Sequence, residues 1–226
     1  MLKKKNIIGF DRKIELEWAN YIAELVLRKL SESEIREKLA RKLSVYGLGT
    51  SKGGALSKTI TVLTRLWLNV PDSVVPLRNK ALNLYKLCDE NEKVILHLCL
   101  AMSNYPFFFD VLTQIGRLLK LQDNFSSEQI TRRIIEKWGD TQRVKRSVDH
   151  VLQALKLWNV IAPLQKISIY GCNRTKASDK IQLFVAESLS IALGTSHLAQ
   201  EIKHHPAIFF CEMNISVSKI EQISIS

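Results

Sequence analysis

Apolar residues in this chain return every three or four positions, segment after segment. That spacing commits most of it to helices that each bury one face. Ile14, Trp18, Tyr21, Ile22, Leu25 and Val26 form the first such stripe, within 11–30. Ser31-Glu32-Ser33-Glu34 is a capping box that starts a second helix, striped by Ile35, Leu39 and Leu43 and stopped near Gly47. A third runs over 51–69 with Leu56, Ile60, Leu63 and Trp67 inward, and Val70-Pro71-Asp72 breaks it. Three apolar helices follow, near 76–88, 91–103 and 106–121, with Pro76 and Pro106 in first turns. Leu96, Leu98, Leu100, Phe107, Phe108, Phe109 and Val111 make them apolar nearly all round, which predicts the core.

The next stretch changes character. Phe125-Ser126-Ser127-Glu128-Gln129 supplies a cap and a first-turn carboxylate for a helix striped by Ile130, Ile134 and Trp138. Gly139 stops it, and Asp140-Thr141 caps the next helix at once. Val144, Val148, Val151, Leu152 and Leu155 form that helix's inner face, opposite Gln142, Arg143, Lys145, Arg146 and Asp149. Two helices joined by a short turn containing Gly make a helix-turn-helix signature. Residues 165–170 and 180–185 then read as strands from their Ile, Tyr, Phe and Val content, joined by a basic tip at 171–179. Helix, turn, helix and basic hairpin is the order of a winged helix-turn-helix. In the tail, 187–193 and 196–204 read as short helices around Gly194, and 208–216 as a strand, before an ending rich in Ile.

The helices over 31–70 and 126–160 also resemble each other. Ser33-Glu34-Ile35 parallels Ser127-Glu128-Gln129-Ile130, and Leu66, Leu68, Asn69 and Val70 parallel Leu155, Leu157, Asn159 and Val160. The predicted fold class is therefore mainly α: a helical bundle with two helix-turn-helix-like units, the second winged by a short β-hairpin. Four segments follow: 1–70 with the first unit, 71–125 as apolar helical core, 126–186 as the winged unit, and 187–226 as a C-terminal segment.

Charge agrees with that division. The chain carries 33 Lys and Arg against 22 Asp and Glu, a formal net charge of +11. Residues 31–70 hold seven cations and three carboxylates, residues 126–158 seven and four, and residues 71–125 six of each. Excess positive charge thus lies on the two units and on the arm bearing Lys3-Lys4-Lys5, which predicts a polyanionic partner. Gly47-Leu48-Gly49-Thr50-Ser51-Lys52-Gly53-Gly54 fits neither phosphate-loop pattern: the dinucleotide fingerprint needs Gly where Lys52 stands, and the P-loop needs its Lys after a Gly, whereas Lys52 precedes Gly53. No nucleophile elbow and no metal spacing among the Cys and His residues appears, so the chain is expected to be no enzyme and to carry no cofactor and no metal. With no secretory h-region and no apolar run of ~18 residues, it is expected in the cytoplasm and off the membrane.

In a helix-turn-helix the N-terminal part of the second helix enters the major groove of double-stranded DNA. Thr141, Gln142, Arg143, Lys145 and Arg146 occupy that part here. Arg pairs with guanine and Gln with adenine, while Thr141 and free first-turn N–H groups suit a phosphate. Arg132 and Arg133 on the preceding helix are placed to reach the backbone, and Arg174 and Lys176 on the hairpin tip to touch the adjacent minor groove or phosphates. Ser51, Lys52, Lys58, Thr61 and Arg65 make the comparable face of the first unit.

Three stretches are similar to the BrxA family of BREX phage-defence accessory proteins. They are the opening helix into Leu30-Ser31-Glu32-Ser33-Glu34, the polar turn and basic helix from Thr50 to Arg65, and Trp138-Gly139-Asp140-Thr141-Gln142-Arg143-Val144-Lys145-Arg146 with Trp158-Asn159-Val160. The resemblance spans about residues 10–165 and leaves out the Ile-rich ending. It implies a small helical protein likened to the antitermination factor NusB, binding DNA, lacking enzymatic activity, and working with other proteins of its defence system. Two alternatives stand beside DNA binding. One is NusB-like RNA binding, and the other is a scaffold whose contact surface is Tyr105–Phe109 and the Ile-rich tail.

Overall fold

The computed structural model describes residues 8–51, 53–164, 168–194 and 197–222. Lys52, the Lys3-Lys4-Lys5 arm, residues 165–167 of the expected strand and the last four residues of the Ile-rich ending lie outside them. Helix α1 (Leu16–Leu27) starts later than its apolar stripe suggests. Phe10 and Ile14, although at helical spacing from Trp18, are fully buried in the irregular segment before it. Ser31 caps α2 (Glu32–Ser44) in a reciprocal capping box with Glu34, as expected. Ten residues then lead to α3 (Ala55–Trp67), whose N-cap Gly54 offers no side-chain bond.

After a 3-10 turn at Asp72–Val74 come α4 (Val75–Tyr85), α5 (Glu90–Asn104) and α6 (Pro106–Leu119). Helices α5 and α6 meet at Tyr105 at an angle of 117°. Both are largely interior, as their all-round apolar character predicts. Among the described residues no single helix is long and apolar enough to cross a membrane. One polar network crosses this core. Trp67 Nε1 donates to His97 Nδ1 at 2.9 Å, which leaves the ring proton on Nε2, 2.8 Å from Asn20 Oδ1. Tyr85 donates to the same Asn20 oxygen at 3.0 Å. Four helices, α1, α3, α4 and α5, thus share one set of satisfied polar groups.

The second unit follows from α6. Strand β1 (Phe125–Ser126), α7 (Ser127–Trp138), α8 (Gln142–Leu157), β2 (Ile161–Pro163) and β3 (Ile169–Cys172) succeed one another. The sheet is antiparallel in the order β1-β3-β2, with Phe125 opposite Tyr170 and Ile161 opposite Cys172. Taken with α6, the order is helix, strand, helix, helix, strand, strand: a winged helix-turn-helix. Ser126 and Gln129 form a second capping box at the head of α7, and Gly139 ends it at φ 87°. Thr141 Oγ1 caps α8 by accepting from Val144 N at 3.2 Å.

The wing is real but displaced from its expected position. Residues 180–185 are not a strand; they open α9 (Asp179–Leu193). Ile181, Phe184, Val185, Ser188 and Leu189 are buried at helical spacing, and a 15-residue run is too long for a typical strand. Gly194 ends α9 in the left-handed region. Helix α10 (Ala199–Lys203) follows, then a 3-10 turn at Pro206–Ile208 and α11 (Val217–Glu221). The strand expected over 208–216 reduces to a single bridge between Cys211 and Thr175. Pro206 sets this course: a Cβ on Gly116 would lie 1.8 Å from its carbonyl oxygen, so α6 and the turn touch backbone to backbone. Helix α9 packs on α5, and one continuous set of buried side chains runs from Ile8 to Ile220 through all four segments.

Candidate nucleic-acid interface

Helix α8 presents a polar stripe of Gln142, Arg146, Asp149, Gln153 and Lys156, spaced four, three, four and three residues apart, and all five are exposed. Arg143 is exposed beside it and His150 half-buried. Thr141 Oγ1 accepts from Val144 N as a cap, which leaves its own O–H proton, with the other first-turn N–H groups, for an anion. The charges differ in freedom. Lys145 Nζ is held 2.7 Å from Asp140, whereas Arg143 Nη2 stands 3.8 Å from Asp11 with most of its side chain in solvent. Arg146 has no ion pair among the described residues.

The wing closes one side of the stripe. Asp149, Gln153 and Lys156 border a small cleft of about 120 Å³ whose far wall is Ser168 and Tyr170. Burial there raises the Asp149 carboxyl above its ordinary range. Arg132 is exposed on α7 and Arg133 half-buried. The pose of α7 is fixed from below, where the Asp110 carboxylate of α6 accepts from Lys137 Nζ and from Trp138 Nε1, each at 2.7 Å. Trp138 also meets Phe107 edge-on at 5.0 Å.

In the first unit, Lys58, Thr61 and Arg65 follow one another at helical spacing on α3, with Lys58 and Thr61 exposed. Thr61 spends its hydroxyl proton on Ser57 O at 2.9 Å. Ser51 is exposed in the turn before α3, and its carbonyl accepts from Gly54 N at 2.7 Å. The guanidinium of Arg65 lies over the Tyr105 ring at 5.9 Å, and its Nη1 is 3.9 Å from where a Cβ on Gly9 would stand. Two residues on, Asp11 faces Arg143. The structure thus brings Arg65 of the first unit and Arg143 of the second to the same short segment, residues 9–11. Sequence spacing alone could not join them.

Arg174 and Lys176 are not on the wing tip. They follow β3 and line a cavity of about 320 Å³ with Trp158, Asn159 and Phe210, beyond the C-terminal end of α8. The 16 residues of α8 span roughly 24 Å at the usual helical rise, which separates this pair from Arg143. The contact surface expected at Tyr105–Phe109 is largely spent inside the molecule. Tyr105, Phe107 and Phe108 are buried, and Phe109 stacks on His205. Ile215 and Ile220 of the Ile-rich tail are buried too.

Sequence reasoning missed Arg12, His150 and Gln153. Gln153 was within reach, because it extends the Gln142–Arg146–Asp149 spacing by one turn. Arg12 had no local signal. Its guanidinium donates to Asp11 O at 2.6 Å and lies near His150, whose proton affinity falls through burial and through that cation. Arg12 Nε and His150 Nδ1 are both buried without a partner. Among the described residues no three His, Cys, Asp or Glu side chains are placed to hold one metal ion. All four cysteines are free, and burial pushes the Cys172 thiol up to about 11 and those of Cys88 and Cys211 to about 12. No protein-family model, curated protein or solved structure matches this chain.

Proposed function

We propose that this protein binds double-stranded DNA without catalysing a reaction on it, with the N-terminal half of α8 in the major groove. A single observation carries this reading. In a winged helix-turn-helix order of elements, Gln142, Arg143 and Arg146 are exposed together at the start of the second helix, where that architecture presents its groove-reading residues. Gln142 and Arg143 supply adenine- and guanine-type readout, and the exposed carboxylate of Asp149 one turn on suits a cytosine amine. Arg132, Arg133 and the first-turn amides take phosphates. In the first unit, where Arg65 also nears Gly9, Lys58, Thr61 and Arg65 add further contacts to the backbone. The BrxA-like stretches support a role as an accessory protein in a BREX-type phage-defence system, alongside other proteins of that system.

Mobility shifts on duplex DNA at graded salt test the proposal. If about six to eight phosphates are contacted, affinity falls with a log–log salt slope of roughly −5 to −7. Arg143→Ala with Arg146→Ala weakens binding by about 2–4 kcal/mol in sum, or roughly 30- to 1000-fold. No binding at low salt, or binding that the double variant leaves unchanged, overturns the proposal. An RNA duplex or stem-loop that outcompetes DNA would move the assignment to RNA.

A further inference from the structure

The proposed DNA-binding surface leaves a cationic cleft unused, which shares Arg174 with the cavity beyond α8. It has a volume of about 340 Å³ and opens between the end of α6 and the turn that follows α10. Its lining includes Lys120, Arg174, Lys203, His204 and His205 against a single carboxylate, Glu212. Two of these cations are anchored without being neutralised. Lys120 Nζ donates to the His204 carbonyl at 2.5 Å, and Lys203 Nζ donates to the Ile215 carbonyl at 2.7 Å. Each ammonium therefore keeps two N–H bonds for something else. Lys120, Lys203 and Arg174 form no ion pair among the described residues.

His205 completes the wall. Its ring stacks on Phe109 with centroids 5.7 Å apart and planes 13° from parallel. Its Nδ1 accepts from Ala207 N at 3.2 Å, which places the ring proton on Nε2. Burial, then the charges of Lys120 and Arg117, hold this imidazole down at about 4, so at neutral pH it is an uncharged donor in a positive field. Several cations converging on a concave space, with one carboxylate among them, leave a local excess of charge that an anion would satisfy. An Arg fork beside two point-charge ammonium groups is the donor set that suits phosphate oxygens. The volume lies at the lower end of the roughly 300–1,000 Å³ typical of small-molecule sites.

We propose that this cleft binds a small phosphate-bearing molecule, its phosphate held between Lys120, Lys203 and Arg174. A DNA backbone phosphate offers the same chemistry. The small molecule is favoured because Arg174 follows β3 beyond the far end of α8, away from Arg143 and Arg146.

Pyrophosphate is the probe, titrated at constant ionic strength against chloride and followed by calorimetry and thermal midpoint. Saturable binding with a rising midpoint is expected. Arg174→Gln, at an exposed position, and the pair Arg174→Gln with Lys203→Gln should weaken it by about tenfold or more, a loss of 1.4 kcal/mol. The same variants should shift duplex DNA affinity less than about twofold, while Arg143→Ala with Arg146→Ala leaves pyrophosphate binding intact. Absence of saturable binding, or binding that survives both cleft variants, overturns the site. Loss of DNA affinity in the cleft variants overturns the small-molecule assignment and gives these cations to the DNA backbone. Failure of DNA binding alone leaves the cleft result standing.

Discussion

His97 is a side chain whose chemistry is set by where it is buried. Burial holds its imidazole down at about 3, against an ordinary value of 6.5, so it is neutral in the folded protein. His205 is depressed in the same sense, to about 4. A histidine with a lowered folded pKa contributes full stability above its unfolded value and loses it as pH falls below that value. Stability should therefore drop as pH falls from about 6.5 to 5, above the range where most carboxylates titrate. Urea midpoints measured across that window check this, and a flat profile contradicts it. Gly116 makes a second prediction on steric grounds. A methyl there meets the Pro206 carbonyl, so Gly116→Ala should destabilise by about 3 kcal/mol, read as a lower urea midpoint.

Single residues were also where the sequence was most legible. Ser31 with Glu34, Ser126 with Gln129, and Thr141 stand at the helix starts their side chains specify, because a cap is a local bond between neighbours. The short strands were not legible in this way. A strand of two to four residues, such as β1 or β3, carries too little alternation to be told from a loop. β-branched and aromatic residues at Ile181, Phe184 and Val185 imitated a strand where burial at helical spacing made a helix. Arg12 beside His150 was illegible because nothing near either residue in the chain refers to the other.

Among the elements, α7 and α8 matter most, and their pose depends on α6. Asp110 holds Lys137 and Trp138 from below, and removing it leaves the indole N–H without its acceptor. Asp110→Ala should cost about 2 kcal/mol in stability. It should also change the environment of Trp138, seen as an altered fluorescence spectrum. An unchanged spectrum and midpoint would show that the Phe107–Trp138 contact alone sets the pose. The two helix pairs resemble each other at their ends as well. Asn69 N reaches back five residues to Thr64 O, and Val160 N to Leu155 O, each at 2.8 Å. Their turns differ, with three residues between α7 and α8 and ten between α2 and α3, so the second pair is the more tightly built unit.

At the scale of the whole molecule, segment boundaries drawn from composition dissolve into one core. Arg65 of the first unit and Arg143 of the second both reach the segment at residues 9–11. That contact depends on the N-terminal segment lying where it does. Phe10 packs against Tyr105, Phe108 and Trp158, and Trp158 Nε1 donates to Ile14 O at 3.0 Å across 144 positions of chain. That separation is also a statement about time. On the ribosome, residues 10–14 emerge before Trp158 and wait for it roughly 7–30 s at ordinary elongation rates. Through that interval the buried Phe10 and Ile14 lack their contacts with Trp158, and closing so long a loop is slow. Pulse-labelled hydrogen exchange during refolding should show the amides of residues 8–14 gaining protection together with the C-terminal turn of α8 and after α5 and α6. Protection of that stretch ahead of α8 would place its first partner elsewhere. On that order of events, the irregular segment that both Arg65 and Arg143 approach takes its final place only once α8 is complete, so this part of the surface forms late in folding.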